Sequence, residues 1–433
     1  MQILQISQHR ELYMTETKKK KILVIADSPL VPSGVGTQTK YMIESLLKTG
    51  EYSFYCLAGA IRHQDYSIQA VAPYEDDWKI QPVDGYGNEG ILREVLEREK
   101  PDILWFMTDP RFYVWLWQME DEIRRNVPMV YYHVWDNYPY PTFNKQYYDS
   151  NDHVCTISKL TDDIVRTVSP TVKVTRIPHA VDTEIFKKKE VLTGRAKEIR
   201  ARLGAEDKLI FFWNNRNARR KQSGTLMFWF RDYLDLVGHD KAILIMHTEP
   251  KDPNGQDLEA IIKNCKLDQK VFLSVQKMPP EELSELYNVA DCTINISDAE
   301  GFGLATLESM ACETPIIVNM TGGLQEQVTD GEEWYGFGIE PSSKAIIGSQ
   351  DVPWIYEDRI SREDFLDAIV KFTNLSKDQK QDMGAKARQY VKDNYGMPQY
   401  AGLWYETLNE VHEQCGSWET RKNYKAWELR KIK

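Results

Sequence analysis

Short, unbroken apolar runs recur along the chain, each closed by a small or polar turn and most followed by residues with helical spacing. The longest are Ile22–Ala26 (ILVIA), Ile103–Met107 (ILWFM), Met129–Val134 (MVYYHV), Leu209–Trp213 (LIFFW) and Ala242–Met246 (AILIM), and the more mixed Cys292–Ile296 (CTINI) and Pro315–Asn319 (PIIVN) read as strands on either side of a turn and helix. Runs of this length without polar alternation predict strands covered on both faces, as in parallel sheets. Phe54–Leu57, Val154–Ile157 and Val271–Leu273 predict shorter strands. Helical periodicity predicts helices over Gln38–Lys48, Ile91–Glu99, from Lys159, Asp257–Asn264, Pro280–Asn288, Leu304–Cys312, Ser361–Phe372, Lys377–Asn394 and from Pro398 on. Such alternation predicts an α/β class with open, doubly wound sheets. Ligands of these sheets gather at the carboxyl ends of the strands. That rule makes Asp109, His133 and Asp136 candidates, because each stands at or just past a strand end.

The chain has 433 residues, enough for two separate cores. No apolar run is long enough to span a bilayer, and no secretory signal opens the chain. The net charge of −11 argues against a protein that grips duplex nucleic acid or an anionic membrane over a wide surface. Six scattered cysteines without a C-x-x-C pair predict reduced, buried thiols and a cytoplasmic location. Residues 1–20 read as an extension, with Met14 as a second candidate start and Lys18–Lys21 leading into the first strand.

Ser297–Gly323 (SDAEGFGLATLESMACETPIIVNMTGG) carries the most chemistry. A strand, a glycine-containing acidic turn and a helix start form an anion site, because the free N–H groups of the first turn point outward and the helix dipole favours negative charge. Glu300 and Glu308 flank that turn, and a carboxylate beside such a loop suits the hydroxyls of a ribose or hexose. The bland alternative is an ordinary strand–turn–helix. Asn214–Lys221 (NNRNARRK) follows the strand Leu209–Trp213, and its plain reading is a solvated basic turn. Gly34 and Gly36 open the first helix, where glycine lets backbone approach a ligand. Trp135–Pro141 (WDNYPYP) is a proline-punctuated loop whose Trp135, Asp136 and Tyr138 suit a sugar ring or a base.

The string from Ser297 to Gly323, continued by Gly322-Gly323-Leu324-Gln325-Glu326, closely resembles the donor signature of retaining glycosyltransferases of family 4, glycosyl transferases group 1. Ile177–Phe186 (IPHAVDTEIF) resembles the segment that closes the first domain in that family, with His179 and Ala180 in place of the usual Asn and Gly. The resemblance implies the GT-B fold, two Rossmann-like domains facing across a cleft. The implied boundaries are an extension 1–20, an acceptor domain 21–186, a bridge 187–207, a nucleotide-sugar domain 208–395 and a helix 396–433 returning to the first domain.

It implies transfer of a sugar from a UDP- or GDP-sugar to a hydroxyl acceptor with retention of configuration. Glu300, His133, Arg216 and Lys221 would serve catalysis. Gly34, Gly36, Arg216, Lys221, Gly301, Phe302, Gly303, Leu304 and Glu308 would hold the donor. Asp109, Trp135, Asp136 and Tyr138 are the acceptor-side candidates. No metal and no cofactor beyond the nucleotide sugar are expected, since Arg216, Lys221 and the helix start would neutralise the leaving group. The acceptor would be a glycan, a lipid-linked sugar or, as a minority view, a modified nucleobase. Alternatives are a nucleotide-sugar epimerase of the same fold and a non-catalytic carbohydrate- or partner-binding module. The chain departs from the family at His247–Pro250, at Glu313 and in an irregular insertion over 332–360.

Overall fold

A computed structural model describes residues 18–189 and 194–425. Most of the expected N-terminal extension, residues 190–193 of the expected bridge and residues 426–433 of the tail lie outside the described residues. By contacts the chain forms two compact units. One gathers the residues up to Thr108, Phe112–Tyr131 and the chain from Trp404; the other gathers Asp109–Arg111 and Tyr132–Leu403. This division falls earlier in the chain than the boundary expected at 186, inside the strand Met129–His133.

The first unit is built on β1 (Lys20–Asp27), β2 (Tyr52–Gly59), β3 (Gln69–Val71), β4 (Glu75–Pro82), β5 (Ile103–Met107) and β6 (Met129–His133), in the order β3-β4-β2-β1-β5-β6. β4, β2, β1 and β5 run parallel, and β3 is an antiparallel edge on β4. β4 was not foreseen. Its sequence EDDWKIQP buries only alternate residues, so it lacks the unbroken apolar run of a central strand. The helix Gly34–Leu47 begins four residues before its expected start, because Ser33 caps it by accepting the N–H of Gly36. Trp404 packs edge-on against Trp105 of β5, with ring centroids 5.7 Å apart. The Ser417 hydroxyl donates to Asp102 (2.8 Å) and the Trp418 indole to the Pro101 carbonyl (2.8 Å), which ties residues 417 and 418 to this unit.

In the second unit β7 (His153–Thr156) and β8 (Val174–Arg176) pair in parallel. β9 (Leu209–Asn214), β10 (Ala242–His247), β11 (Val271–Ser274), β12 (Cys292–Asn295), β13 (Ile316–Asn319) and β14 (Gly336–Ile339) form an all-parallel sheet in the order β11-β10-β9-β12-β13-β14. Counted from β9 this is the doubly wound order 3-2-1-4-5-6, which reverses direction between β9 and β12. Helices cover both faces. Phe211 of β9 packs on Phe230, Tyr233 and Phe372, while its neighbour Phe212 points the other way onto Tyr287. The stretch 332–360, expected to be irregular, instead supplies β14 and an antiparallel hairpin of β15 (Ser343–Ile347) and β16 (Ile355–Arg359).

Candidate functional site

The point where the strand order reverses leaves a crevice at the carboxyl ends of its two strands. Here those strands are β9 and β12, and their exit loops carry Arg216–Lys221 and Asp298–Gly303. The site is therefore set by topology first and by side chains second. After β9 the chain turns through a short 3₁₀ helix, Arg219–Lys221. After β12 it turns into the helix Leu304–Ala311, with Gly303 at its start in the left-handed region (φ +91°).

The Lys221 ammonium pairs with the Glu300 carboxylate, and the Lys221 side chain is only 9% exposed. Burial pushes Lys221 down to about 8, and Glu300 pulls it back toward the cation. Burial alone would raise Glu300, but Lys221 and then Arg220 outweigh it and hold that carboxyl below the usual range. At neutral pH the site thus holds an ion pair, with Arg220 donating to the Ala299 carbonyl beside it.

Glu308 lies in the second turn of the helix. Tyr287 donates to its carboxylate (2.7 Å), and Asn214 at the end of β9 donates to the Tyr287 hydroxyl (2.9 Å). With one neutral partner against its desolvation, Glu308 is raised to about 7. Asp298 is buried and raised to about 6 by that burial; Gln222 donates to it at 2.6 Å.

The glycines under the turn are structural. A Cβ on Gly322, which has φ +52°, would fall 1.8 Å from the Glu300 carbonyl oxygen, and one on Gly323 would fall 2.6 Å from Phe302 Cα. The Gly323 N–H donates to the Glu300 carbonyl (3.1 Å), and Gln327 donates to the Phe302 carbonyl (2.6 Å). Gly322-Gly323 is thus a floor pressed against the backbone of Glu300–Gly303. Glu326, three residues on, is buried and accepts the Lys159 N–H (2.6 Å).

Asp136 approaches the same turn. A Cβ on Gly301 would lie 3.8 Å from Asp136 Oδ2. Burial raises the Asp136 carboxyl to about 6, with Arg220 and Lys221 opposing and Glu300 adding to the rise.

Several expected site residues stand elsewhere. Arg216 does not reach Glu300 or Glu308. Its guanidinium pairs with Asp252 through Nε (2.7 Å) and Nη2 (3.2 Å), with the side chain 65% exposed. His133 is fully enclosed, and its Nε2 is 2.8 Å from the Tyr148 hydroxyl. Burial lowers it to about 3, so it is a neutral core residue rather than a side chain at the surface of a cleft. Trp135 is also core, packed with Ile164 and Val352, and its indole donates to the Asn137 carbonyl. Proline punctuation suggested an open loop at Trp135, but the hairpin covers it. Tyr138 donates to Asp163 (3.0 Å), and Asp109 is held by Arg111 (2.9 Å).

In the first unit, a Cβ on Gly36 would fall 2.7 Å from the carbonyls of Ser28 and Val31, and the Gly36 N–H is bound by Ser33. The glycine there answers to the loop folded over it. Gly34 is exposed at the helix start.

Sequence reasoning missed Arg220, Tyr287 and Asn214. Arg220 was legible only as general basicity, and Tyr287 sits on an apolar helix face without any polar signature. A separate pocket of about 570 Å³, lined in part by Lys159, Arg176, Tyr335 and Tyr390, contains none of the expected residues. All six cysteines are free and buried. No helix among the described residues is long and apolar enough to cross a membrane.

Residues 197–388 match the family model described as glycosyl transferases group 1. A D-inositol 3-phosphate glycosyltransferase of Acidothermus cellulolyticus is 51% identical over 55 residues, which are 13% of this chain and 12% of that protein's own length. Only about an eighth of that relative is therefore spanned. Among solved structures, a sucrose-phosphate synthase from Thermosynechococcus elongatus superposes with a TM-score of 0.70 at 17% identity, covering 91% of this chain and 100% of that one. Anabaena Alr3699/HepE, solved in complex with UDP and glucose, superposes with a TM-score of 0.65 at 15% identity, covering 90% and 100%. At these identities the structural likeness establishes the fold.

Proposed function

Because residues 197–388 match the glycosyl transferases group 1 model and the chain has the GT-B fold, we propose that it transfers a sugar from a nucleotide diphosphate sugar to a hydroxyl acceptor. The observation that carries this reading is the buried Lys221–Glu300 pair beside the Gly301–Gly303 turn, at the reversal of the sheet. A cation fixed there meets the negative charge that develops as the nucleoside diphosphate departs. The N–H groups that open the helix Leu304–Ala311 add to it.

Glu300 holds donor-sugar hydroxyls, exchanging part of its contact with Lys221 for them. Glu308 accepts from ribose hydroxyls, with Tyr287 fixing the carboxylate's orientation. Asp136, beside Gly301, receives the acceptor hydroxyl. The fixed cations take the place of a metal in neutralising the leaving group. The donor is a UDP-sugar, a reading supported by the UDP and glucose in the Anabaena neighbour. Transfer proceeds with retention by front-face attack, in which the departing phosphate takes the acceptor proton. The acceptor is a glycan or a lipid-linked sugar.

The test is to incubate the protein with UDP-, GDP- and ADP-sugars, with and without candidate acceptors, and to follow nucleotide release. Release that depends on an acceptor is the expected result. Release without an acceptor would point to an epimerase, and failure to bind any nucleotide sugar would overturn the proposal.

A further inference from the structure

The β15–β16 hairpin stands outside the parallel order of the second unit, yet it grips the site. Its second strand presents Glu357, which is 1% exposed. Arg219 donates to it from both Nη atoms, to Oε2 at 3.0 Å and to Oε1, and Arg359 donates to Oε2 at 2.8 Å. Buried carboxylates are costly unless paired, and this one is paired twice. The Arg219 side chain remains 55% exposed. Of the five N–H donors of its guanidinium, Glu357 takes two and leaves three.

The next residue of the hairpin is bonded, through Asp298, to the same turn. The Asp358 N–H donates to the Asp298 carbonyl (2.9 Å), and the Asp298 N–H donates to the Arg220 carbonyl (2.8 Å). Each cation of Arg219–Lys221 is therefore anchored separately: Arg219 by Glu357, Arg220 by the Ala299 carbonyl, Lys221 by Glu300. Arg216, by contrast, is engaged by Asp252.

We propose that Glu357 is a positioning residue that aims Arg219 at the donor's diphosphate, so that the turn Arg219–Lys221, rather than the pair Arg216 and Lys221, receives the departing nucleoside diphosphate. The inference rests on the donor reading above. A guanidinium held bidentately has lost its rotamer freedom before the ligand arrives, and its charge is in place before the leaving group forms. Arg219 and Arg359 outweigh burial and keep Glu357 below the usual carboxylate range, so the anchor stays ionised.

The alternative is that Glu357 only pins the hairpin to the body. Titration calorimetry of the full chain separates the two, with UDP, GDP and ADP and their monophosphates as probes and thermal melting run alongside. The variants are Arg219→Ala, Glu357→Gln, the double variant and Arg216→Ala. For the diphosphate that binds best, Arg219→Ala and Glu357→Gln are each expected to weaken binding on the order of tenfold, with a much smaller change for the monophosphate. The double variant should be no weaker than Arg219→Ala alone, because the two residues act as one unit.

Equal losses for diphosphate and monophosphate, additive losses in the double variant, or a lower melting temperature with unchanged diphosphate affinity would each overturn the proposal while leaving the donor reading intact. A greater loss in Arg216→Ala than in Arg219→Ala would overturn it in the same way. If the wild type binds none of the nucleotides, the donor reading falls with it. Should Glu357→Gln fold poorly, Arg219→Lys carries the test. It keeps the charge, gives up the fork, and is expected to lose diphosphate affinity as Arg219→Ala does.

Discussion

Glu308 titrates near 7 because it is desolvated in a helix and has a single neutral donor, Tyr287, to favour its charged form. In the unfolded chain the same carboxyl has its ordinary value of 4.5. Between those values the folded protein binds the extra proton. The stability this group confers is therefore full below 4.5 and is lost as pH rises through about 7. Glu308→Gln cannot titrate, so the wild type should melt progressively lower relative to that variant as pH is raised across this window. Scanning calorimetry of the pair at several pH values checks this, and a constant gap would exclude the assignment. Donor affinity should carry a component that moves the opposite way, so that the ratio of wild-type to variant affinity rises through the same window. At neutral pH Glu308→Gln should lower kcat/KM about 10- to 100-fold, the loss of one hydrogen bond to a charged group. That Lys221 and Glu300 would come together was legible, because each stands at a fixed offset within a continuous string after its strand. The sequence misdirected on His133 and Trp135, where burial was decided by Tyr148 and by the distant hairpin.

At the scale of elements, the acidic turn depends on a backbone-to-backbone contact. Gly322→Ala would drive a methyl into the Glu300 carbonyl at a position with φ +52°, whereas Gly331→Ala, at φ +105°, would meet nothing within 4 Å. The first should cost about 2–4 kcal/mol or more through steric displacement together with backbone strain, and the second about 1–2 kcal/mol through strain alone. Urea unfolding of the two variants measures the difference. Only Gly322→Ala should also lose donor turnover, since only it displaces Glu300. Strands with unbroken apolar runs were legible, and the helix Lys377–Asn394 matches its expected span. β4 and the β15–β16 hairpin were not legible. Their residues alternate or are largely polar, so neither carries the unbroken apolar run of a central strand.

At the scale of the whole molecule, the chain's return to its first unit is made by side chains that composition cannot reveal. Trp404 is fully buried against Trp105, so Trp404→Ala should destabilise the first unit by about 3–5 kcal/mol. Tryptophan-fluorescence unfolding curves should show that loss. The doubly wound order of β9–β14 explains why the site residues come from two exit loops so far apart in sequence. The reversal of strand order brings the loop after β9 beside the loop after β12. The proposed chemistry rests on that convergence, and the Glu300→Gln variant probes it. The measurement is the rate of acceptor-dependent nucleotide release from the preferred nucleotide sugar. A fall on the order of 100-fold or more is expected in the folded variant, measured below its melting temperature, which should itself drop because Lys221 loses its charged partner. Release at the wild-type rate would contradict it.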